Sequence, residues 1–288
     1  KYPLDSVTFT VNAKGAELHY QWQKDGASID GATNQTFTES RIVFSDSGQY
    51  QCVVSNLGGS VTSEPARLTV KTTVKDASGN VYTLVIIGTQ VWTVENLRTT
   101  RYNDGTAIPH VVPDTSGWAT LNTPGYCFYN NHTNPDYHVK WGALYNWYAV
   151  NTGKLAPEGW RVPTNADWAI LEKYLKENGY NYDGTINGNK IAKSMAARTD
   201  WETSTEIGAI GNNLGKNNSS GFSALPGGFR RNICGNFYRQ GINGDWWSTS
   251  EMNELYAYSC GLSHDGENLE RTYRTHKGLG FSVRLVRD

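Results

Sequence analysis

Asp46-Ser47-Gly48-Gln49-Tyr50-Gln51-Cys52 sets a Tyr two residues ahead of a Cys, directly after an Asp-Ser-Gly turn. Upstream, Tyr20-Gln21-Trp22-Gln23-Lys24-Asp25-Gly26 reads as a strand that buries its Trp and ends in a turn. A tyrosine corner feeding a strand whose Cys meets a buried Trp is the signature of a two-sheet sandwich. Val7, Phe9 and Val11 alternate, as do Tyr50, Cys52 and Val54. Each set therefore points to one face of its strand, and the two sets share a core.

The pattern resembles an immunoglobulin-like domain, with one departure. The position that should hold the partner of Cys52, on the strand before Trp22, is Val11. No inter-sheet disulfide is expected, and Cys52 is predicted to be a buried free thiol that behaves as a small hydrophobe. The missing crosslink forgoes about 2–4 kcal/mol, which packing of Val11 against Trp22 and Tyr50 has to offset in part. Cys-poor modules of this kind resemble the stalks of bacterial surface proteins. Residues 1–72 are assigned to this all-β sandwich, with a last strand over 66–70 and a connector over 71–75. Residues 73–288 are assigned to a second domain that folds separately, a division that suits a chain of 288 residues.

A formal charge of −1 supplies no basic field, which argues against nucleic acid as a partner and against an anionic membrane. The longest aliphatic run, Leu84-Val85-Ile86-Ile87, is far too short to cross a bilayer, so no membrane insertion of this segment is expected. Lys1-Tyr2-Pro3-Leu4 leads straight into strand pattern, and an export segment is expected to have been removed or to lie outside this stretch of sequence. Cys127, Cys234 and Cys260 remain in the second domain, where an odd number permits at most one bridge; Cys234 with Cys260 is the candidate pair.

The second domain carries an ordered series of motifs. Asp76-Ala77-Ser78-Gly79-Asn80-Val81-Tyr82 is followed by Ile87-Gly88-Thr89-Gln90-Val91-Trp92, Glu95-Asn96-Leu97-Arg98 and Tyr102-Asn103-Asp104-Gly105-Thr106. Next come Gly142-Ala143-Leu144-Tyr145-Asn146-Trp147-Tyr148-Ala149 and Pro157-Glu158-Gly159-Trp160-Arg161-Val162-Pro163-Thr164-Asn165-Ala166-Asp167-Trp168. Trp246-Trp247-Ser248-Thr249-Ser250 and Gly280-Phe281-Ser282-Val283-Arg284 close the series. From residue 74 onward this order resembles the Fibrobacter succinogenes major paralogous domain. The resemblance implies a bacterial surface protein, lipoprotein or secreted protein, and an α+β C-type lectin-like fold shared with the formylglycine-generating enzymes. That fold has served binding and catalysis alike, so it does not by itself decide function.

The residues give an independent reading of the same stretch. Thr164 with Asp167 three residues on reads as a capping box, and Trp168, Leu171 and Leu175 form an apolar stripe that Gly179 terminates. The spacing of Trp141, Leu144, Tyr145 and Tyr148 predicts a helix over 138–150, and a short helix is expected over 191–197 between long Gly/Asn-rich loops. Alternation of Phe281, Val283 and Leu285 predicts a closing strand.

Ten Trp and 17 Tyr invite a carbohydrate-binding reading, since flat aromatic faces stack on sugar rings. Trp92, Trp147, Trp160, Trp168 and Trp246 sit inside the motifs and are assigned to the core, which leaves Trp118, Trp201 and Trp247 as candidates for exposure. No His-x-x-x-His pair or Cys-x-x-Cys motif offers a zinc site. Asn130, Asn131, Asp136 and Asp183 have the oxygen donors a structural calcium would need, but a solvated-loop role weighs more for each, so no cofactor is expected. Gly-x-Ser-x-Gly is absent, and Cys260 with His264-Asp265 is not a triad by spacing alone. The chain is therefore read as a binding or adhesion protein rather than an enzyme, located outside the cell and recognising a glycan or protein on a host or neighbouring cell. The alternatives are an enzyme of the formylglycine-generating or sugar-hydrolase kind and a structural fimbria-associated subunit. The candidate surface is residues 235–277, with Tyr238, Asn243, Trp247, Asn253, Tyr256, Tyr258, His264, Asn268, Tyr273 and His276, because Tyr gives contact area at low entropic cost and Asn hydrogen-bonds adaptably.

Overall fold

The computed structural model describes residues 1–112 and 115–288, apart from the side chains of Thr272 and Tyr273. The chain divides into two compact units, Lys1–Thr72 and Thr73–Asp288. Most of its regular structure is β, with few helices.

In the first unit, β1 (Val7–Thr10) pairs antiparallel with β4 (Thr36–Glu39) in one sheet. The other sheet runs β3 (Ala27–Ser28), β2 (His19–Lys24), β5 (Gly48–Asn56), β6 (Gly59–Thr62), with β7 (Ala66–Leu68) also on β5. Trp22 on β2 stands in register with Cys52 on β5, and the Tyr50 hydroxyl donates to the Asp46 carbonyl at 2.9 Å, forming the predicted corner. Val11 packs beside Phe9 and Phe37 in the cluster of Trp22, Ala32 and Cys52. Tyr50 belongs to an adjoining cluster with Ile42, Leu68 and Val70. The rings of Phe9 and Phe37 reach both, and Phe9, stacked on Tyr50 at 4.5 Å, makes the contact with Tyr50 expected of Val11.

In the second unit, β8 (Thr73–Lys75), β9 (Val81–Ile87) and β10 (Gln90–Thr93) form a meander, and the C-terminal strand β18 (Val286–Arg287) adds to β10. Between them lie α1 (Thr115–Ala119), β11 (Tyr126–Cys127), α2 (Pro135–Trp141), β12 (Leu144–Tyr145), α3 (Trp147–Val150), α4 (Asn165–Glu177) and α5 (Ala192–Met195). The hairpin β13 (Phe229–Arg230) and β14 (Phe237–Tyr238) leads into a three-stranded sheet of β15 (Asn243–Glu251), β16 (Tyr256–Ser263) and β17 (Glu270–His276). The core gathers Trp92, Trp168, Phe222 and Trp246 with Leu171, Leu175 and Ile191.

The α4 capping box forms as its sequence dictates. Thr164 Oγ1 accepts from the Asp167 amide, and Asp167 accepts from the Thr164 amide at 2.7 Å. Arg161 also donates to Asp167, through Nη2 at 2.8 Å, so the helix start is tied to the preceding loop. The helix predicted over 138–150 is broken. Gly142 takes φ 77°, and a Cβ there would stand 2.5 Å from Asn96 Cβ, so the chain turns closely past Asn96 before Leu144 and Tyr145 pair with β11 and α3 begins. Asn146, whose side chain accepts from the Ala149 amide, caps the second piece.

Three aromatic expectations are corrected. Trp118, Trp201 and Trp247 are 1%, 4% and 0% exposed. Each buries its ring because its indole N–H meets a backbone carbonyl: Gly278 at 3.1 Å, Ala224 at 3.1 Å and Tyr145 at 2.7 Å. The Cys234–Cys260 bridge is absent too. All four cysteines are free; Cys260 faces the core from β16, while Cys234 lies half-buried in the β13–β14 turn with its thiol 3.6 Å from the Tyr238 hydroxyl.

Candidate functional site

The β15–β17 sheet is the scaffold for the segment singled out by composition. Trp246 and Cys260 stand side by side in register, and with Leu262 they enter the central core. The opposite face is covered as well, since the Trp247 amide donates to Ser282 and its ring packs 4.9 Å from Phe281. This is why Trp247 is not a surface anchor.

The remaining candidates separate toward the ends of β16, whose eight residues span about 25 Å at the usual rise. At one end, Tyr256 meets His276 edge-on at 6.0 Å between ring centres, and the Arg274 guanidinium lies 5.7 Å from the Tyr256 ring. Asn253 caps the turn before β16 by accepting from the Leu255 and Tyr256 amides, both at 3.0 Å. Tyr256, Tyr258 and His276 are half-buried and Asn253 is exposed. Burial holds the His276 imidazole below its usual pKa, which favours the neutral ring whose Nδ1 accepts from the Gly278 amide. Tyr273 lies on β17 by its backbone, but its side chain is outside the described residues.

At the other end stand Asn243, His264 and Asn268, all half-buried. Asn243 Oδ1 accepts from Arg239 at 3.2 Å, and the backbone of His264 bridges Ile242 and Gly211. Asp245 and Glu270 flank Gly261 in register, and no side chain stands between the two carboxylates. The Asp245 carboxyl is pushed up to about 7, chiefly by burial and then by Glu270, with Arg239 opposing. Tyr238 belongs to neither end: it lies on the β13–β14 hairpin, stacked on Phe229 at 5.9 Å.

The Cys260, His264 and Asp265 trio does not assemble. Burial raises the Cys260 thiol well above its ordinary value within the core, whereas Asp265 lies in the turn beyond β16 and accepts from Ser263. Among the described residues, no three His, Cys, Asp or Glu gather closely enough to hold a metal ion. The four calcium candidates have local structural roles. Asn130 and Asn131 form a turn with φ of 52° each, Asp136 opens α2, and Asp183 pairs with Lys190 at 2.5 Å.

The motifs singled out in the sequence converge on a buried polar hub. Asn96 accepts from Trp246 and Arg284 and donates to the Trp141 carbonyl at 3.0 Å, while Arg284 reaches the Thr93, Phe222 and Ser223 carbonyls. Residues 85–287 match the Fibrobacter succinogenes major domain, and residues 5–70 match an immunoglobulin domain. The chain belongs to the Fibrobacter succinogenes major domain family. No curated protein matches it. Both matches agree with the resemblances carried by the motifs, and the hub ties three of those motifs together, because Asn96 completes the hydrogen bonding of Trp246 and Arg284.

Sequence reasoning missed three features of the Fibrobacter succinogenes major domain here. Trp141 is half-buried, while the other nine Trp are buried, and it sits at the end of α2 with Tyr137 at 6.0 Å and the Lys140 ammonium 5.0 Å from its ring. The signal was Gly142, which ends the helix and removes Trp141 from the inward stripe. The Asp245–Glu270 alignment depends on strand register and leaves no trace in spacing. Lys193 is buried in α5, where the sequence shows only one lysine in a short helix.

Proposed function

We propose that this chain is an extracellular bacterial binding protein in which an immunoglobulin-like spacer carries a C-type lectin-like head that recognises a glycan or protein and performs no catalysis. The observation that carries this reading is the group of half-buried Tyr256 and His276 with exposed Arg274 at one end of a sheet whose Trp246, Cys260 and Leu262 are locked into a Trp-rich core. Aromatic side chains on a rigid scaffold give contact area at low entropic cost, which is the economy of a recognition surface, and the Arg274 guanidinium adds charge beside them. The reading extends to adhesion at the cell surface, and it needs no resident cofactor.

The test is a screen of the whole chain on glycan and protein arrays, followed by Tyr256→Ala and Arg274→Ala. The expected outcome is a ligand recovered chemically unchanged, with binding weakened about tenfold or more in either variant, the scale of one lost central contact. Undiminished binding in both variants moves the site elsewhere, and recovery of a cleaved or oxidised ligand overturns the non-catalytic reading.

A further inference from the structure

A cleft of about 310 Å³ opens between the loop after α4, the α5 helix and residues 207–219. Its volume is at the lower end of those that hold small ligands. Two lysines, Lys193 and Lys216, line it, and no Asp or Glu does among the described residues, although the chain as a whole has 27 acidic and 26 basic side chains. A larger hollow of about 550 Å³ in the first unit has a single charged side chain, Lys14, on its wall, and nothing there selects a ligand.

The charge at the base of the cleft is built in. Lys193 is 6% exposed, and its ammonium is held by the carbonyls of Ala209 at 3.0 Å, Ile210 at 3.4 Å, Asn213 at 3.5 Å and Asn212. No carboxylate pairs with it among the described residues. A buried cation without a counter-ion is costly, and carbonyl dipoles offset only part of that cost. Burial, and then Lys216, hold the Lys193 ammonium below its usual pKa. Its three donors are engaged, so it acts on a ligand through its field. Lys216 is exposed, makes no ion pair among the described residues, and can reach a ligand directly.

An aromatic plate faces this charge. Tyr182 is 37% exposed and lies against Gly208, where a Cβ would come within 2.2 Å of the ring. Gly208 takes φ 87°, so the sequence provides both the turn and the flat contact. The Tyr182 amide donates to the Lys190 carbonyl, and the Lys190 ammonium stands 5.7 Å from the ring. The plate is thereby fixed before any ligand arrives. Ser219 adds an exposed hydroxyl to the wall.

We propose that this cleft binds an acidic saccharide, a sugar ring carrying a carboxylate or a sulfate, with the ring on Tyr182 and the anionic group on Lys216 within the field of Lys193. The site is separate from the sheet end formed by Tyr256 and His276, and its success or failure is read independently of that surface.

The experiment titrates the whole chain by calorimetry with three probes: an oligogalacturonate, its fully methyl-esterified form, and a heparin-derived oligosaccharide. Saturable binding of the first or the third is expected, the choice between them assigning carboxylate or sulfate, with the esterified form failing to bind. Lys216→Glu and Tyr182→Ala, both at exposed positions, are expected to raise Kd at least tenfold, while Tyr256→Ala leaves it unchanged. Thermal melting of the variants establishes that they remain folded. Equal affinity for the esterified form, no binding of either acidic probe, or unchanged affinity in Lys216→Glu and Tyr182→Ala overturns the proposal. A protein or neutral glycan that binds in the array screen under those outcomes leaves the general recognition function standing.

Discussion

Asn96 Oδ1 receives the Arg284 Nε–H at 2.8 Å, joining two residues 188 positions apart in the sequence in a site where both are buried. The same oxygen accepts from Trp246 Nε1 at 2.9 Å, so one carbonyl satisfies a buried guanidinium and a buried indole together. Asn96→Leu keeps the volume and strands both donors. Leaving a buried donor unsatisfied costs about 1–3 kcal/mol, more on a charged group, so with two donors stranded the second unit's urea transition should shift by about 2–5 kcal/mol. A shift under about 1 kcal/mol, the scale of one ordinary hydrogen bond, would show that the remaining carbonyls hold Arg284 unaided.

The hub also marks the boundary of what could be read in advance. The α4 start was legible because a capping box is local, and the Trp22–Cys52 pairing because strand alternation fixes its face. The helix predicted over 138–150 breaks for the opposite reason: Trp141, Leu144 and Tyr145 satisfy helical spacing, but the close passage of the backbone past Asn96 at Gly142 is a tertiary demand. Trp118, Trp201 and Trp247 lie outside the longest runs of apolar sequence or at their edges, and their burial depends on carbonyls of Gly278, Ala224 and Tyr145 that only the folded chain brings near. For the candidate surface, composition singled out a segment, residues 235–277. It could not show that Tyr256 and His276 meet while Asn243 and His264 stand at the far end of the sheet.

In the first unit, Tyr50→Phe removes the hydroxyl that reaches Asp46 and keeps the ring stacked on Phe9. The expected loss is about 1 kcal/mol, the net worth of one such hydrogen bond. It should appear as a lower urea midpoint for the first unit's transition with an unchanged slope; a change in slope would mean that the variant alters more than this one bond.

Asp245 makes the stability of the second unit depend on pH. Its carboxyl rises from an ordinary 3.8 to about 7 in the folded state, so between those values the native chain binds more protons than the unfolded one. Stability is therefore greatest below about 4, as far as this group is concerned, and declines as pH rises to about 7. Asp245 keeps partial solvent contact, which limits the effect to about 1–2 kcal/mol. Asp245→Asn should stabilise the protein at pH 8 relative to the parent and lose that advantage at pH 4. Parallel pH profiles of melting temperature for parent and variant would remove Asp245 from the account.

The cysteines give the sharpest separation between environments, because alkylation proceeds through the thiolate. Cys234 is half-buried, and its thiol is held below the ordinary value, first by the Asn236 backbone and then by the Tyr238 hydroxyl, with Arg231 adding to them. Burial pushes Cys127 up to about 12 and Cys260 well above its ordinary value, and it raises Cys52. Iodoacetamide at pH 8 should label Cys234 in the native chain and spare the other three. Denaturation without reductant should then expose Cys52, Cys127 and Cys260 to the same reagent, since all four are free. Recovery of a disulfide-linked peptide containing Cys52 would contradict the sandwich core, in which Val11 packs into the cluster of Trp22 and Cys52. Labelling of Cys260 before Cys234 would contradict the burial of the β16 face against Trp246.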